Sequence, residues 1–391
     1  MSEVAAPARG AGDLLQLLRD GTPRTRNELI ELTGLARSTV GLRVDALLGS
    51  GLLAPSGTSR STGGRPPAQF AFNPAARLVL AADFGATHLL TAVTDLNGQV
   101  LAEDRQTLDI ADGPEACLDK LVKTATKLLD GRQAGGLAGV GIGVPGPVEH
   151  SSGRPVKPPI MPGWDGFDIP GWIREHLDAP VLVDNDVNLM ALGEHSQVHA
   201  DVQHMVFVKV ATGIGAGIIS GGRLHRGAEG SAGDLGHVQS PHGSDVLCHC
   251  GNRGCLEAIA SGRAIAGQLR EEGGADVHNS RDVLALLNQG DQAATASVRR
   301  AGRDIGEVLA TCVSLLNPSV IVIGGSLAHG APSLLAGVRE VIYARSLPLA
   351  TGHLLVVPSQ TGEHAGVNGA AAMVIQQFLA PDSVDAMLAA D

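Results

Sequence analysis

Cys248-His249-Cys250-Gly251-Asn252-Arg253-Gly254-Cys255-Leu256-Glu257 carries three cysteines at spacings of two and five, and His237 lies just upstream in Gly236-His237-Val238. Thiolates this close converge on something. Two glycines between the second and third cysteines permit a tight turn that aims all three inward. With His237 they form a Cys₃His set, closed and tetrahedral, which suits a structural zinc and leaves no position for a metal-bound water. His249 lies between two ligand cysteines and would point away from them. The alternative is a disulfide plus a free thiol, but nothing in the chain suggests an oxidising compartment.

A second group of residues suits phosphoryl and sugar chemistry. The strand Pro180–Val183 runs into Asp184-Asn185-Asp186-Val187-Asn188 and then a helix, Leu189–Glu194. Carboxylates at a strand-to-helix junction sit at the edge of an α/β sheet, where ligands bind. Asp186 there can accept a proton from a sugar hydroxyl that attacks a phosphoryl group, and Asn185 can hydrogen-bond the sugar. The plainer alternative is that Asp184 or Asp186 serves only as a helix N-cap. The strand Leu78–Asp83 enters the turn Phe84-Gly85-Ala86-Thr87-His88. In that turn the amides of Gly85 and Thr87 can hold phosphate oxygens and Asp83 can orient a magnesium shell. Met205–Val210 enters a second such turn, Ala211-Thr212-Gly213-Ile214-Gly215-Ala216-Gly217, with Thr212, Gly213 and Gly215 as the phosphate cradle. Two phosphate loops, each inside a β-hairpin, are far more specific than either alone.

The elements that must position these residues follow from length, charge and periodicity. A chain of 391 residues has room for two or three domains. The total charge is −11, but residues 1–77 hold nine arginines, no lysine and six acidic residues, a net of +3, which leaves −14 on the remainder. A basic head on an acidic body suggests a small DNA-contacting domain joined to one that does not touch DNA. In the head, Asp13–Arg19 has helical apolar spacing, Thr25 and Glu28 make a capping box, and the helix they open stops at Gly34. A second helix follows from Leu35 to Leu48, giving a helix-turn-helix with Leu35, Val40, Val44 and Leu47 inward. Arg37, Ser38, Thr39 and Arg43 face outward near its amino end, where a recognition helix meets the major groove. Two short strands bracket a loop from Ser56 to Pro67, a wing whose Arg60 and Arg65 can reach phosphates or a narrow minor groove. A winged helix that binds protein, with solvated arginines, is the alternative. The domains are then 1–72, a winged helix-turn-helix; 73–77, a linker; and 78–391, an effector-binding and oligomerising body. Gly306–Leu316 reads as an apolar helix stopped by Asn317-Pro318, and Asp382–Asp391 as a frayed helix. Cys117 and Cys312 sit in apolar helical patterns and read as core. No basic-then-apolar leader and no membrane-length apolar run appears, which points to a cytoplasmic protein with no membrane partner.

Taken together these residues resemble the ROK family, which contains sugar kinases and sugar-responsive repressors. The resemblance covers nearly the whole chain and is strongest over Thr212–Glu257. It implies an α/β architecture: an N-terminal winged helix-turn-helix followed by an actin-like ATPase fold of two lobes, with a zinc knuckle and sugar in the cleft. It also implies that sugar contacts fall on Asn185, Asp186, His237 and Glu257, and that a kinase's catalytic base would be Asp186. The family usually has Glu where this chain has Asp234, a shorter carboxylate that can change sugar preference. Ala86, His88, Ala211 and Ser326 replace residues common in the kinases, and a methyl on a phosphate loop can block close backbone approach, which bears on whether magnesium-ATP is bound. The winged helix is what the family's repressors have and its kinases lack. The expected function is therefore a DNA-binding repressor that senses a sugar or sugar derivative, acting on operator DNA as a homodimer or homotetramer. A sugar kinase with an accessory DNA-binding domain is the alternative.

Overall fold

The computed structural model describes residues 10–58, 67–132, 135–273 and 277–390. In chain order the head is α1 (Ala11–Leu18), β1 (Arg24–Thr25), α2 (Arg26–Thr33), α3 (Arg37–Gly49), β2 (Leu53–Thr58) and β3 (Ala68–Phe72), with sheet order β1-β3-β2. Local chemistry sets these boundaries. Thr25 Oγ1 accepts from the Glu28 amide at 3.2 Å, and Glu28 Oε2 accepts from the Thr25 amide at 2.6 Å, a complete capping box at the start of α2. Gly34 ends that helix in the left-handed region at φ 68°, where only glycine sits without penalty. Val40, Val44 and Leu47 of α3 are fully buried and Leu35 is half-buried. Residues 74–76 form a 3₁₀ turn whose Pro74 carbonyl accepts from the Leu96 amide at 3.0 Å, so this segment packs on the body.

The body holds two five-stranded sheets. The first has order β10-β7-β4-β5-β6. It is built from β4 (Leu78–Phe84), β5 (His88–Thr94), β6 (Val100–Thr107), α4 (Pro114–Leu129), β7 (Leu137–Val144), the small ribbon β8 (Val148–Glu149) and β9 (Arg154–Pro155), α5 (Ile169–Arg174) and β10 (Val181–Asn185). The chain then crosses on α6 (Asp186–Val198) to the second sheet, order β13-β12-β11-β14-β15. That lobe comprises β11 (His204–Val210), β12 (Ile214–Ser220), β13 (Arg223–His225), α7 (Leu256–Ala260), α8 (Gly262–Gly273), α9 (Ser280–Asn288), α10 (Gln292–Leu316), β14 (Val320–Gly324), α11 (Ser326–Gly330), α12 (Pro332–Arg345), α13 (Pro348–Thr351) and β15 (Leu355–Pro358). It returns on α14 (Ala365–Phe378) and ends in α15 (Pro381–Ala390). The parallel pairs of each sheet are buried on both faces, hence the near-continuous apolar runs. Alternate residues of β4 go to opposite cores. Val79 and Ala81 join the cluster of α14, and Leu80, Ala82 and Phe84 join that of α4.

α6 and α14 lie against each other between the two sheets, and glycine sets their approach. A Cβ on Gly369 would stand 1.8 Å from the Leu189 carbonyl oxygen, and one on Gly193 would stand 2.1 Å from that of Ala365. Any larger residue at either position forces the helices, and with them the lobes, apart.

Two expectations change. The helix read from Gly306 begins at Gln292, because Ala294, Ser297, Val298 and Ala301 continue its buried stripe with small residues. The tail does not fray. Val384 is buried, and Met387 and Leu388 pack on the cluster that holds Leu14, Leu15 and Leu18 of α1. Asp385 Oδ1 accepts from the Gly12 amide at 2.9 Å, and Gln16 Nε2 donates to the Leu379 carbonyl at 2.7 Å. An acidic side chain from the chain's last helix thus satisfies one of the open amides at the start of its first. Among the described residues no helix is long and apolar enough to cross a membrane.

Candidate functional site

The cleft is built where β10 meets α6. Asn185, not Asp184 or Asp186, is the N-cap of α6: its Oδ1 accepts from the amides of Val187 at 2.9 Å and Asn188 at 3.4 Å. Its Nδ2 donates to the Gly146 carbonyl at 3.0 Å, which ties the cap to the Pro145-Gly146-Pro147 turn. Asp184 is buried and fully engaged. It accepts from its neighbour's amide at 2.8 Å, from Asn188 Nδ2 at 2.9 Å and from Arg226 Nε at 2.7 Å, and His150 Nδ1 stands 3.5 Å away. Arg226 follows β13 of the second lobe, so this pair spans the lobes.

Asp186 is buried on the first turn of α6, where its charge suits the helix dipole. It is paired with the ammonium of Lys209, a residue of the central strand β11. Burial alone would depress the Lys209 pKa. The charge and hydrogen bond of Asp186, helped by Asp83 and Glu257, raise it instead. Asp83, at the end of β4, is pushed up to about 7, first by burial and then by the neighbouring Asp186 charge, with Lys209 and Arg105 pulling the other way. Sequence reasoning missed Lys209. The signal was a lone charge inside an apolar strand, which a buried position tolerates only with a partner.

In each loop meant for phosphate, one backbone amide is already engaged within the chain. The Gly85 amide donates to the His88 carbonyl at 2.9 Å, and the His88 ring lies on Gly85 so closely that a Cβ there would stand 2.1 Å from Cε1. Burial, then the charges of Arg105 and Lys209, lower the His88 pKa to about 4, which leaves the imidazole neutral at pH 7. Thr87 is exposed, as is Thr212 in the second loop. There Glu257 Oε2 accepts from the Ile214 amide at 2.9 Å and would stand 2.4 Å from a Cβ on Gly213. The carboxylate of Glu257 thus lies over Gly213, while Gly215 packs against Val187.

The knuckle brings together all four donors named from the sequence. His237 and the thiols of Cys248, Cys250 and Cys255 have ligand atoms within 4.8 Å of one another. Gly251 at φ 90° and Gly254 at φ 78° supply the turns. All five cysteines are free thiols, and Cys250 Sγ and Cys255 Sγ are 3.6 Å apart, well beyond the ~2.05 Å of a disulfide. Burial and the neighbouring thiols push Cys255 up to about 12, whereas the Asn252 amide lowers Cys250. Three thiols and an imidazole converging this closely fit a thiophilic metal, whose binding displaces the thiol protons. His237 sits on a 3₁₀ turn with Nδ1 3.7 Å from Cys248 Sγ and Nε2 4.0 Å from Asp234 Oδ1. One ring nitrogen therefore faces the sulfurs and the other faces Asp234. Cys255 caps α7, which carries Glu257, so the knuckle also positions a cleft carboxylate.

In the head, Arg37 and Ser38 are exposed, and Thr39 and Arg43 are half-exposed, on the first two turns of α3. Arg26 of α2 pairs with Asp45 of α3 and lies 5.3 Å over the Phe70 ring of β3. Arg60 and Arg65 lie outside the described residues.

These features define a two-lobed, actin-like body with a helix-turn-helix head, and comparison with known proteins gives the family. The model of the ROK family matches residues 79–377. The chain belongs to the ROK family. The xylose repressor of Bacillus subtilis (strain 168) is 28% identical over 369 residues, covering 94% of each chain. The crystal structure of a ROK family transcriptional regulator, a homolog of the E. coli MLC protein, superposes with a TM-score of 0.83 at 26% identity, covering 97% of this chain and 98% of that one. A ROK family glucokinase from Streptomyces griseus, in complex with glucose and AMPPNP, superposes with a TM-score of 0.67 at 27% identity, covering 76% of this chain and 98% of its own.

Proposed function

We propose that the chain is a DNA-binding transcriptional repressor whose kinase-like body, residues 78–391, senses a sugar, and whose head, residues 1–72, reads operator DNA. The observation that carries this is coverage. The regulator structure matches 97% of this chain, while the glucokinase matches 76% and is itself almost wholly used. The cleft favours the same reading over a kinase. A general base must be able to take a proton, and Asp186 is instead held in an ion pair by Lys209. The amides of Gly85 and Ile214 are also engaged within the chain.

Asn185, Asp186, Asp234, His237 and Glu257 are the proposed sugar contacts, and the relative's name makes D-xylose the first sugar to try. His237, Cys248, Cys250 and Cys255 are the proposed ligands of a structural zinc, a thiolate-rich set typical of that ion. When bound, the ion would tie the loop to α7; no step of sensing runs through it. Arg37, Ser38, Thr39 and Arg43 would meet the major groove, with Arg60 and Arg65 on the backbone. Two heads reading two half-sites need fixed spacing, hence a homodimer or homotetramer. Sugar that binds the closed lobes better than the open ones shifts their population and so the spacing of the heads. Operator DNA must in turn change sugar affinity by the same factor. The test is Arg37→Ala, which should weaken specific DNA binding by about 1–3 kcal/mol if Arg37 reads a base. Removal of residues 1–72 should abolish DNA binding and leave sugar binding intact. A truncated body that still shifts operator DNA would overturn the assignment.

A further inference from the structure

We propose that Lys209 is a ligand-binding, specificity-setting residue: its ammonium and the Asp186 carboxylate act as one donor–acceptor pair that grips adjacent hydroxyls of an uncharged polyol. This rests on the sugar-sensing reading above and names the chemistry of its ligand. Lys209 stands on β11 between β12 and β14, with its side chain 23% exposed, and Asp186 beside it is 5% exposed. An ammonium has three N–H donors. Among the described residues only one is used, by Asp186 Oδ2, and no hydrogen bond is formed by Asp186 Oδ1 or by the Asp83 carboxyl. Two donors and an acceptor are thus left, side by side, in a nearly buried place, where polar groups demand partners. A sugar hydroxyl is both donor and acceptor. One hydroxyl can donate to Asp186 Oδ1 while its neighbour's oxygen accepts from Lys209 Nζ.

Charge selects the ligand class. Asp83, Asp186 and Glu257 all act on the one ammonium, so the pair offers no net positive field to an anion. Buried charges are tolerated when paired and hydrogen-bonded, and a neutral polyol completes the bonds without adding a charge. The groups suited to a phosphate ester lie to one side of the pair. Arg105, whose charge also reaches Asp83, and Arg281 line a cavity of about 230 Å³ with Thr87, His88, Gln106 and Thr107. Phosphorylated sugars are therefore the natural opposing arm of the test.

The full-length protein is titrated calorimetrically with D-xylose, D-glucose and D-glucose 6-phosphate. The wild type should bind a neutral sugar, and Lys209→Met should weaken that binding about 10–100-fold, the worth of hydrogen bonds to a charged group. Lys209→Arg, which keeps the charge and the donors, should recover part of the loss. Lys209→Met leaves Asp186 unpaired and can unfold the cleft. The double variant Lys209→Met/Asp186→Asn removes both charges, and should melt as a folded protein yet bind no sugar. Wild-type affinity for neutral sugar in a folded Lys209→Met or double variant would overturn the proposal and leave the sensing function standing. Binding of glucose 6-phosphate alone by the wild type would overturn it in favour of the arginine-lined cavity. A wild type that binds none of the three overturns both.

Discussion

The knuckle and the two hairpin loops are opposite solutions to the same problem. Each gathers strongly polar groups in a glycine-shaped turn. In the knuckle, three thiols and an imidazole converge within 4.8 Å with nothing of opposite charge among them. In the second loop the chain supplies its own anion, Glu257, to the Ile214 amide, and in the first the His88 carbonyl takes the Gly85 amide. A site whose donors lack a counter-charge implies a guest. An amide that is already engaged gains little from one, because binding must first break an internal bond. By this measure the knuckle suits a metal, and beside Asp186 the ammonium of Lys209 keeps donors for a guest.

Removing a ligand from the open site should do the most. Cys250→Ser should strip a metal present at about one zinc per chain and lower the melting temperature by several degrees, since metal affinity of such sets is folding free energy. Elemental analysis of folded, reduced wild type that finds no metal would erase the contrast.

Asp83 tests the cleft through pH. Its folded pKa, pushed up to about 7, stands above the ordinary aspartate value of 3.8, so between those values the folded state holds a proton that the unfolded state has lost. Stability therefore falls as pH rises through that window and the full penalty is present above about 7. Asp83→Asn should relieve it, stabilising the protein at pH 8 by roughly a few kcal/mol and by progressively less on going to pH 5. A gain independent of pH would show that burial does not raise this carboxyl.

The smallest effect is expected at Glu257. Glu257→Ala leaves the Ile214 amide without its acceptor, a cost of about 1–3 kcal/mol. Millimolar inorganic phosphate should then raise the melting temperature of the variant but not that of the wild type. Equal response in both would mean that the loop is open to anions as it stands.

What was legible in the sequence was local. The capping box of Thr25 and Glu28, the stop at Gly34 and the spacing of Cys248, Cys250 and Cys255 each depend on residues a few positions apart, and each structural feature appears where its pattern predicts. What was hidden is tertiary. Lys209 meets Asp186 only because β11 and the first turn of α6 face each other across 23 positions. The docking of α15 requires Asp385 to find Gly12 across 373. The N-cap of α6 fell to Asn185 because Asp184 turns to Arg226 and Asp186 to Lys209, a choice no propensity could make. The start of α10 was missed because its buried stripe there is Ala294, Ser297 and Ala301 around a single larger residue, Val298, too little to mark an apolar face.

The most direct measurement is operator binding by the full-length protein, with D-xylose or D-glucose, with and without magnesium-ATP, alongside a coupled assay for ADP release. The account predicts that sugar alone changes operator affinity, that ATP adds nothing, and that ADP release stays far below that of a sugar kinase. A response seen only with ATP, with rapid turnover lost in Asp186→Asn, would contradict it.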